Sequence, residues 1–378
     1  MSKDIRELLP TSCDLLALGE PTHLEPVFAR IRNEVFPALV DRGFRSIALE
    51  TDRVAALTVN DFVQNGAGTL DDAMREGFSH GFGDLDANRQ LVAWMRAHNE
   101  GRPAEQRLSF HGFDAAMETM SAPSPRRYLE HARDYLGLDL DLADLVGDDE
   151  QWSRQEAVLD PAMSVGATTE ADQLRSIADD LLTTLYARAP ETIATTSRAE
   201  WHRARTYLTA GLGLLRYHRQ AARRIEQSVR WSHLSGTRDA LMAQNLLDIR
   251  DLEARRGPTL VFAHNLHLKR SPSTMRMGPM DLAWSCAGAI LDSLMGERYT
   301  FIASSLGRSD ALGLGEPESD TYEGLLQRRI STWGLIAGSE IVPARTRTDT
   351  KQEQGYFPLD KATLDRADAV LHISTGTP

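Results

Sequence analysis

Two short apolar runs separated by one amphipathic segment set the strongest limit on what this chain can fold into. CDLLALGE (13–20) and FRSIALET (44–51) have the length and composition of buried strands. Between them, PVFARIRNEVFPALVDRG (26–43) carries Val27, Phe28, Ile31, Val35, Phe36 and Leu39 at helical spacing, with Gly43 placed to stop the helix. Neighbouring parallel strands need a crossover of about a dozen residues or more, usually a helix. The pattern therefore predicts a βαβ unit within an α/β fold, with a mostly parallel central sheet flanked by helices. Four further runs extend that sheet: RLSFHGFD (107–114), TLVFAHN (259–265), RYTFIASSLG (298–307) and AVLHIS (369–374). A helix over 85–99 precedes the third strand.

The middle of the chain reads differently. From 120 to 235 no strand run stands out, and the long segments are helical in pattern, punctuated by Pro161 and Pro190. This predicts three parts: a first part of the α/β core (1–119), an all-helical insertion (120–235) and a second part of the core (236–378). A strong helix over 236–257, with Met242, Leu246 and Ile249 on one stripe, leads into the fourth strand. The stretch 308–356 is rich in turn residues, and GRSDALGLGEPESD (307–320) and PARTRTDTKQEQG (343–355) are expected to form long loops.

Composition narrows the function. The formal net charge of −12 repels phosphate backbones, so nucleic acid is not an expected partner. No window approaches the roughly 20 apolar residues of a membrane helix. The first dozen residues are charged and lack an apolar core, so no signal peptide is expected and the protein is placed in the cytoplasm. Cys13 and Cys286 are far apart and read as small buried hydrophobes. What remains is a protein whose partner is a small-molecule substrate, with no oligomeric state specified.

In open parallel sheets, ligands bind beyond the carboxyl ends of the strands. The first strand ends in Glu20, with His23 just after it. The second ends in Glu50 and Asp52. The third ends in Asp114 and carries His111, and the fourth ends in His264-Asn265 with His267 close behind. An imidazole exchanges a proton near neutral pH, and a carboxylate fixes its tautomer. GFSHG (77–81) matches G-x-S-x-G but follows no strand run, so it does not read as a nucleophile elbow, and water is the expected nucleophile. The reaction class that follows is hydrolysis of an ester-like bond or another proton-transfer step. GEPTH is not a zinc helix, because Pro21 breaks a helix interior and only one histidine is present. Glu20, His23, Glu50, His264 and His267 are nevertheless all oxygen or nitrogen donors, so a divalent metal on this rim is an alternative to the cofactor-free reading.

The set GEPTH (19–23), FRSIALET, TRDALMAQNLL (237–247) and VFAHNLHLKR (261–270) resembles the erythromycin esterase family, whose members share G-E-x-T-H, A-L-E, R-D-x-x-M-A-x-N and H-N-x-H in this order. The resemblance implies an α/β core with a helical lobe over a deep cleft, and water-mediated opening of a macrolide lactone without a covalent intermediate. It makes His23 the general base, with Glu20 and Glu50 orienting base and water. It makes His264 the oxyanion partner or general acid, helped by Arg32, with Arg30 a competing candidate for that arginine. Substrate-binding roles go to His267, Arg238, Asn245, His80, His111 and Asp114. Trp201 and Trp231 are the better pocket candidates among the helical tryptophans. The reading is a carboxylic ester hydrolase acting on a bulky natural product, as in macrolide resistance. Its rivals are a biosynthetic tailoring enzyme (lyase, cyclase or transferase), a metal-dependent hydrolase and a non-catalytic binding protein.

Overall fold

A computed structural model describes residues 4–377. Among these residues the main sheet has seven strands, in the order β3-β2-β4-β1-β7-β9-β8. They are β1 (Leu15–Glu20), β2 (Ser46–Asp52), β3 (Ser109–Asp114), β4 (Thr259–His264), β7 (Tyr299–Arg308), β8 (Trp333–Ala337) and β9 (Ala369–Thr375), with β5 (Ser273–Met277) and β6 (Met280–Trp284) forming a separate hairpin. The main-sheet pairs are parallel except for β8, which runs antiparallel at the edge beside β9. The six strand runs read in the sequence are all present, and the α/β class holds.

Alternation along β1 shows why both sheet faces are covered. Leu16 and Leu18 pack with Phe28, Ile31, Phe36 and Leu39 of the helix Val27–Val40. Leu15 and Ala17 pack on the other face with Met242, Leu246 and Leu291. Successive strand residues point to opposite faces, so a strand buried on both must be apolar throughout. The helix Val27–Val40 stops three residues before Gly43, whose φ of 95° turns the chain into β2.

The connections place the crevice. From β1 the chain crosses beyond β4 to reach β2, whereas from β4 it crosses beyond β1 to reach β7. Neighbouring strands whose connections leave in opposite directions define a switch point, and the crevice opens at their carboxyl ends. Register makes this exact to the residue: Glu20 lies directly beside His264. Gly19 is needed there, since a Cβ would sit 2.1 Å from Asn265 Oδ1. Asn265 reaches across it, exchanging hydrogen bonds of 2.8 and 3.1 Å with the Ser304 backbone on β7.

The segment between β3 and β4 is helical. Its long helices are Arg126–Leu136, Thr169–Ala187, Arg198–Ala221 and Gln227–Glu253. Leu129, Leu174, Leu181, Leu208 and Leu215 form a separate core there. The helix Gln227–Glu253 runs unbroken through residues 235–236, carrying Trp231 and Leu234 in one cluster and Met242, Leu246 and Ile249 against the sheet.

Two regions differ from the sequence expectation. WGLIA, between the two expected loops, is not read as a strand in the sequence and pairs with β9 as β8. The β5–β6 hairpin, unread in the sequence, turns on Gly278-Pro279, with Gly278 at φ 57°; glycine first in a two-residue turn is a favoured hairpin signal. No helix among the described residues is long and apolar enough to cross a membrane.

Candidate active site

The loop after β1 presents His23. Thr22 Oγ1 accepts a hydrogen bond from Leu24 N–H at 3.1 Å, which tightens the turn. His23 Nδ1 lies 2.8 Å from Glu20 Oε1, and Nε2 lies 3.7 Å from Glu50 Oε1. The second distance exceeds hydrogen-bond range and leaves room for a reacting proton. The His23 side chain is 32% exposed into the crevice, while Glu20 and Glu50 are buried.

Glu50 is the hub. Its Oε2 accepts from His264 N–H at 2.8 Å. Its Oε1 faces His267 Nε2 at 3.3 Å, Arg238 Nη2 at 3.5 Å and His23 Nε2. Burial alone would raise this carboxyl, but the charges of His267, His23 and Arg238 outweigh it and hold it at about 2. Burial would likewise lower His23, yet Glu50 and the hydrogen bond to Glu20 carry it up to about 9. Glu20 itself is raised by burial.

The loop after β4 gives its two histidines different surroundings. His264 Nδ1 accepts from Leu266 N–H at 3.2 Å. Burial, reinforced by neighbouring His23, pushes it down to about 3. The His23 and His264 ring centroids are 5.2 Å apart. His264 is thus in the site, with Nδ1 held by backbone beside His23. His267 Nδ1 instead meets Asp239 Oδ1 at 2.9 Å. Asp239 also accepts from Ala287 N–H at 2.9 Å and Trp284 Nε1 at 2.7 Å. Against burial, Asp239 and Glu50 raise His267.

Behind the rim, Arg238 binds Asp114 through Nε (2.9 Å) and Nη2 (2.5 Å). His80 Nε2 sits 2.8 Å from Asp114 Oδ2, and its Nδ1 is 2.9 Å from Glu118. His80 has a φ of 58°, held in the left-handed region by Glu118 accepting from its N–H. Phe82 lies between the two imidazoles, 5.2 Å from His23 and 5.7 Å from His80.

Two chambers meet at His23 and Glu50. The outer one, about 610 Å³, has apolar walls from Leu24, Met275, Trp284 and Phe357. The inner one, about 280 Å³, is lined by Arg30, Arg32, Phe262 and Leu85. Arg32 is buried and faces the inner chamber. Its guanidinium donates to Asn33 and Asn88 and lies over Phe262, and burial lowers it to about 10. No carboxylate stands within 4 Å of it among the described residues, so it does not join Arg238 on Glu50.

Of the residues expected from the sequence, Glu20, His23, Glu50, His80, Arg238, His264 and His267 gather at this crevice, and Arg32 lines its inner end. Asp114 is fully buried behind it. Two do not reach it. His111, three residues before the end of β3, pairs with Glu253 at 2.8 Å. Asn245 donates to the Phe113 and Asp114 carbonyls and faces a different cavity. Trp201 and Trp231 are core residues, and the tryptophan at the crevice is Trp284. Asp239, inside the helix Gln227–Glu253, is a site residue that the sequence reading does not single out. Its adjacency to Arg238 in TRDALMAQNLL was the available signal. Among the described residues, no group of three or more His, Cys, Asp and Glu side chains is arranged to hold a metal ion.

The sequence profile described as erythromycin esterase matches residues 39–377. The match begins after GEPTH, so it covers Glu50, Arg238, His264 and His267 but not Glu20 or His23. Among curated proteins none matches. Three solved structures share the fold. A Bacillus cereus protein has a TM-score of 0.71 at 16% identity, covering 100% of this chain and 91% of its own. A succinoglycan biosynthesis protein has a TM-score of 0.69 at 16% identity, with the same coverage of 100% and 91%. The erythromycin esterase EreC, a histidine-to-asparagine mutant in its open conformation, has a TM-score of 0.68 at 18% identity, covering 97% and 92%.

Proposed function

The chain belongs to the erythromycin esterase family, and from that premise we propose that it hydrolyses an ester or lactone of a bulky, mainly apolar natural product of macrolide type. Family membership supports the hydrolase activity. The crevice supports the finer reading, since an apolar chamber of about 610 Å³ suits a drug-sized ligand. One observation carries the mechanism: His23 is exposed where the two chambers meet, with a carboxylate on each side of its ring.

In this mechanism neutral His23 takes a proton from a water, and the hydroxide attacks the ester carbonyl. Glu20 fixes the tautomer by holding Nδ1. Arg238, and His267 whose protonated form Asp239 and Glu50 favour, oppose the charge developing on the tetrahedral oxygen. The His23 imidazolium then returns its proton to the leaving alkoxide, so the sum is ester plus water giving acid plus alcohol. His264 is a positioning residue here, and Arg32 shapes the inner chamber. Proton transfer is routed through these side chains alone. The same chemistry would protect a cell from a macrolide.

The test is mass spectrometry of a panel of macrolides and simpler lactones incubated with the protein, with His23→Ala as control. The expected product is heavier by one water and absent with the variant. A product of unchanged mass, or one heavier by a group other than water, sinks hydrolysis in favour of lyase, cyclisation or transfer chemistry.

A further inference from the structure

A second cavity, about 210 Å³, lies between the ends of β2 and β3 and the helices Thr169–Ala187, Arg198–Ala221 and Gln227–Glu253. Its chemistry is unlike that of the rim. Arg53, buried just after β2, and Arg205 share one carboxylate, Asp248. Arg53 Nη2 donates to Asp248 Oδ2 at 2.6 Å, and Arg205 takes the other oxygen. Arg205 also donates to Tyr186 OH at 3.2 Å. Nε and Nη1 of Arg53 have no protein acceptor among the described residues.

Asp114 also borders this cavity, but it does not balance the second arginine. Both of its oxygens are taken by Arg238, His80 and the Ala115 N–H. The cavity therefore holds one guanidinium more than its free carboxylates can neutralise, inside a protein whose formal charge is −12. Burying an uncompensated cation is costly, and a planar guanidinium with free N–H groups is matched to a carboxylate or phosphate. Neighbouring groups register the same field. Burial and Arg205 push Arg53 down to about 9, and burial with Arg205, Arg198 and Arg53 pushes His202 down to about 4.

We propose that this cavity is a binding site for a small oxyanion, a carboxylate or a phosphate group, held between Arg53 and Arg205 with Tyr186 beside them. It is separate from the ester-hydrolysing crevice and does not depend on that reading.

Titration calorimetry on the full chain tests it, with inorganic phosphate and succinate as separate probes against chloride at matched ionic strength. Saturable binding of one probe is expected, and which probe binds more tightly names the group. Arg205→Gln should weaken it by about tenfold or more, the loss of a charge-assisted hydrogen bond, while leaving Arg53 paired with Asp248. Asp248→Asn, which removes the competing carboxylate, should tighten it. Thermal melts of both variants check that each is folded. No saturable binding in the parent chain, binding that survives unchanged in Arg205→Gln as anion capture at the rim would, or weaker binding in Asp248→Asn each overturns the proposal.

Discussion

The loops that leave β1 and β4 lie side by side, yet they treat the same ring in opposite ways. His23 and His264 have centroids 5.2 Å apart, but one is carried up to about 9 and the other down to about 3. Burial lowers both, so it is not the difference. His23 faces two carboxylates. His264 accepts a backbone N–H at Nδ1 and feels the charge of His23. A lone pair that accepts a backbone N–H is not free to take a proton. The β1 loop is therefore built to exchange protons and the β4 loop to hold position, although the sequence offers a histidine in each.

The sharpest way to break this contrast is to remove each ring in turn. His23→Gln should lower kcat/KM by about 10³-fold, within the range of a lost general base. His264→Asn should cost less than about tenfold in the same assay. An inactive but well-folded His264→Asn protein would reverse the assignment.

Glu50→Gln comes next, at about 10²-fold in kcat/KM, and it sharpens the cause as well as the rank. Only neutral His23 can accept a proton, so with its pKa near 9 the rate should still climb between pH 7 and 9. Glu50 is the first charge raising that pKa. Without it the climb should end at lower pH, and a kcat/KM profile over pH 6–10 would show the shift. A profile that levels near 6.5 in the parent protein contradicts the claim.

A smaller effect, about tenfold, is expected for Asp239→Asn. The amide can present its N–H to His267 Nδ1, removing the charge that favours the protonated ring while keeping the size of the side chain. The loss should fall on kcat more than on KM, because His267 opposes charge in the transition state. An effect on KM alone would make Asp239 a prop for the hairpin through Trp284.

These assignments mark how far the sequence could be read. The βαβ pattern and the strand ends were legible, because burial on both faces demands unbroken apolar runs and the switch point then collects whatever follows them. That is how Glu20, His23, Glu50, His264 and His267 could be grouped before any coordinates. Orientation was not legible. That His111 turns to Glu253 depends on which face of β3 it occupies, and that Asn245 caps the end of β3 depends on helix rotation. The Gly278-Pro279 turn was readable and went unread. β8, with only five residues at a sheet edge, offers too short a pattern to separate from loop. Whether a histidine titrates near 9 or near 3 depends on neighbours a few ångströms away and hundreds of positions distant.

The same contrast predicts how stability changes with pH. A histidine kept neutral by folding, as His264 is, contributes fully above its unfolded pKa near 6.5 and loses that contribution as pH falls toward about 3. His218, lowered to about 4 by burial, and His372, lowered to about 3 by burial and Arg347, act with the same sign. His23 has the opposite sign: its stabilisation is complete below about 6.5 and is lost as pH rises through about 9. Glu50 is lowered, so its contribution is lost only between about 4.5 and 2. From pH 6.5 to 4.5 the neutral histidines lose their contribution, His264 alone about 2 kcal/mol, while Glu20, Asp52 and Glu323, raised by burial, act in the opposite sense. Urea unfolding of the parent and of His264→Asn at the two pH values separates the His264 part. His264→Asn should start less stable at pH 6.5 by about 1–3 kcal/mol, the cost of its lost hydrogen bonds. It should then lose less than the parent protein on acidification. A variant whose stability falls with pH as steeply as the parent's would mean that His264 takes up its proton without unfolding, and the two loops would not differ as their geometry requires.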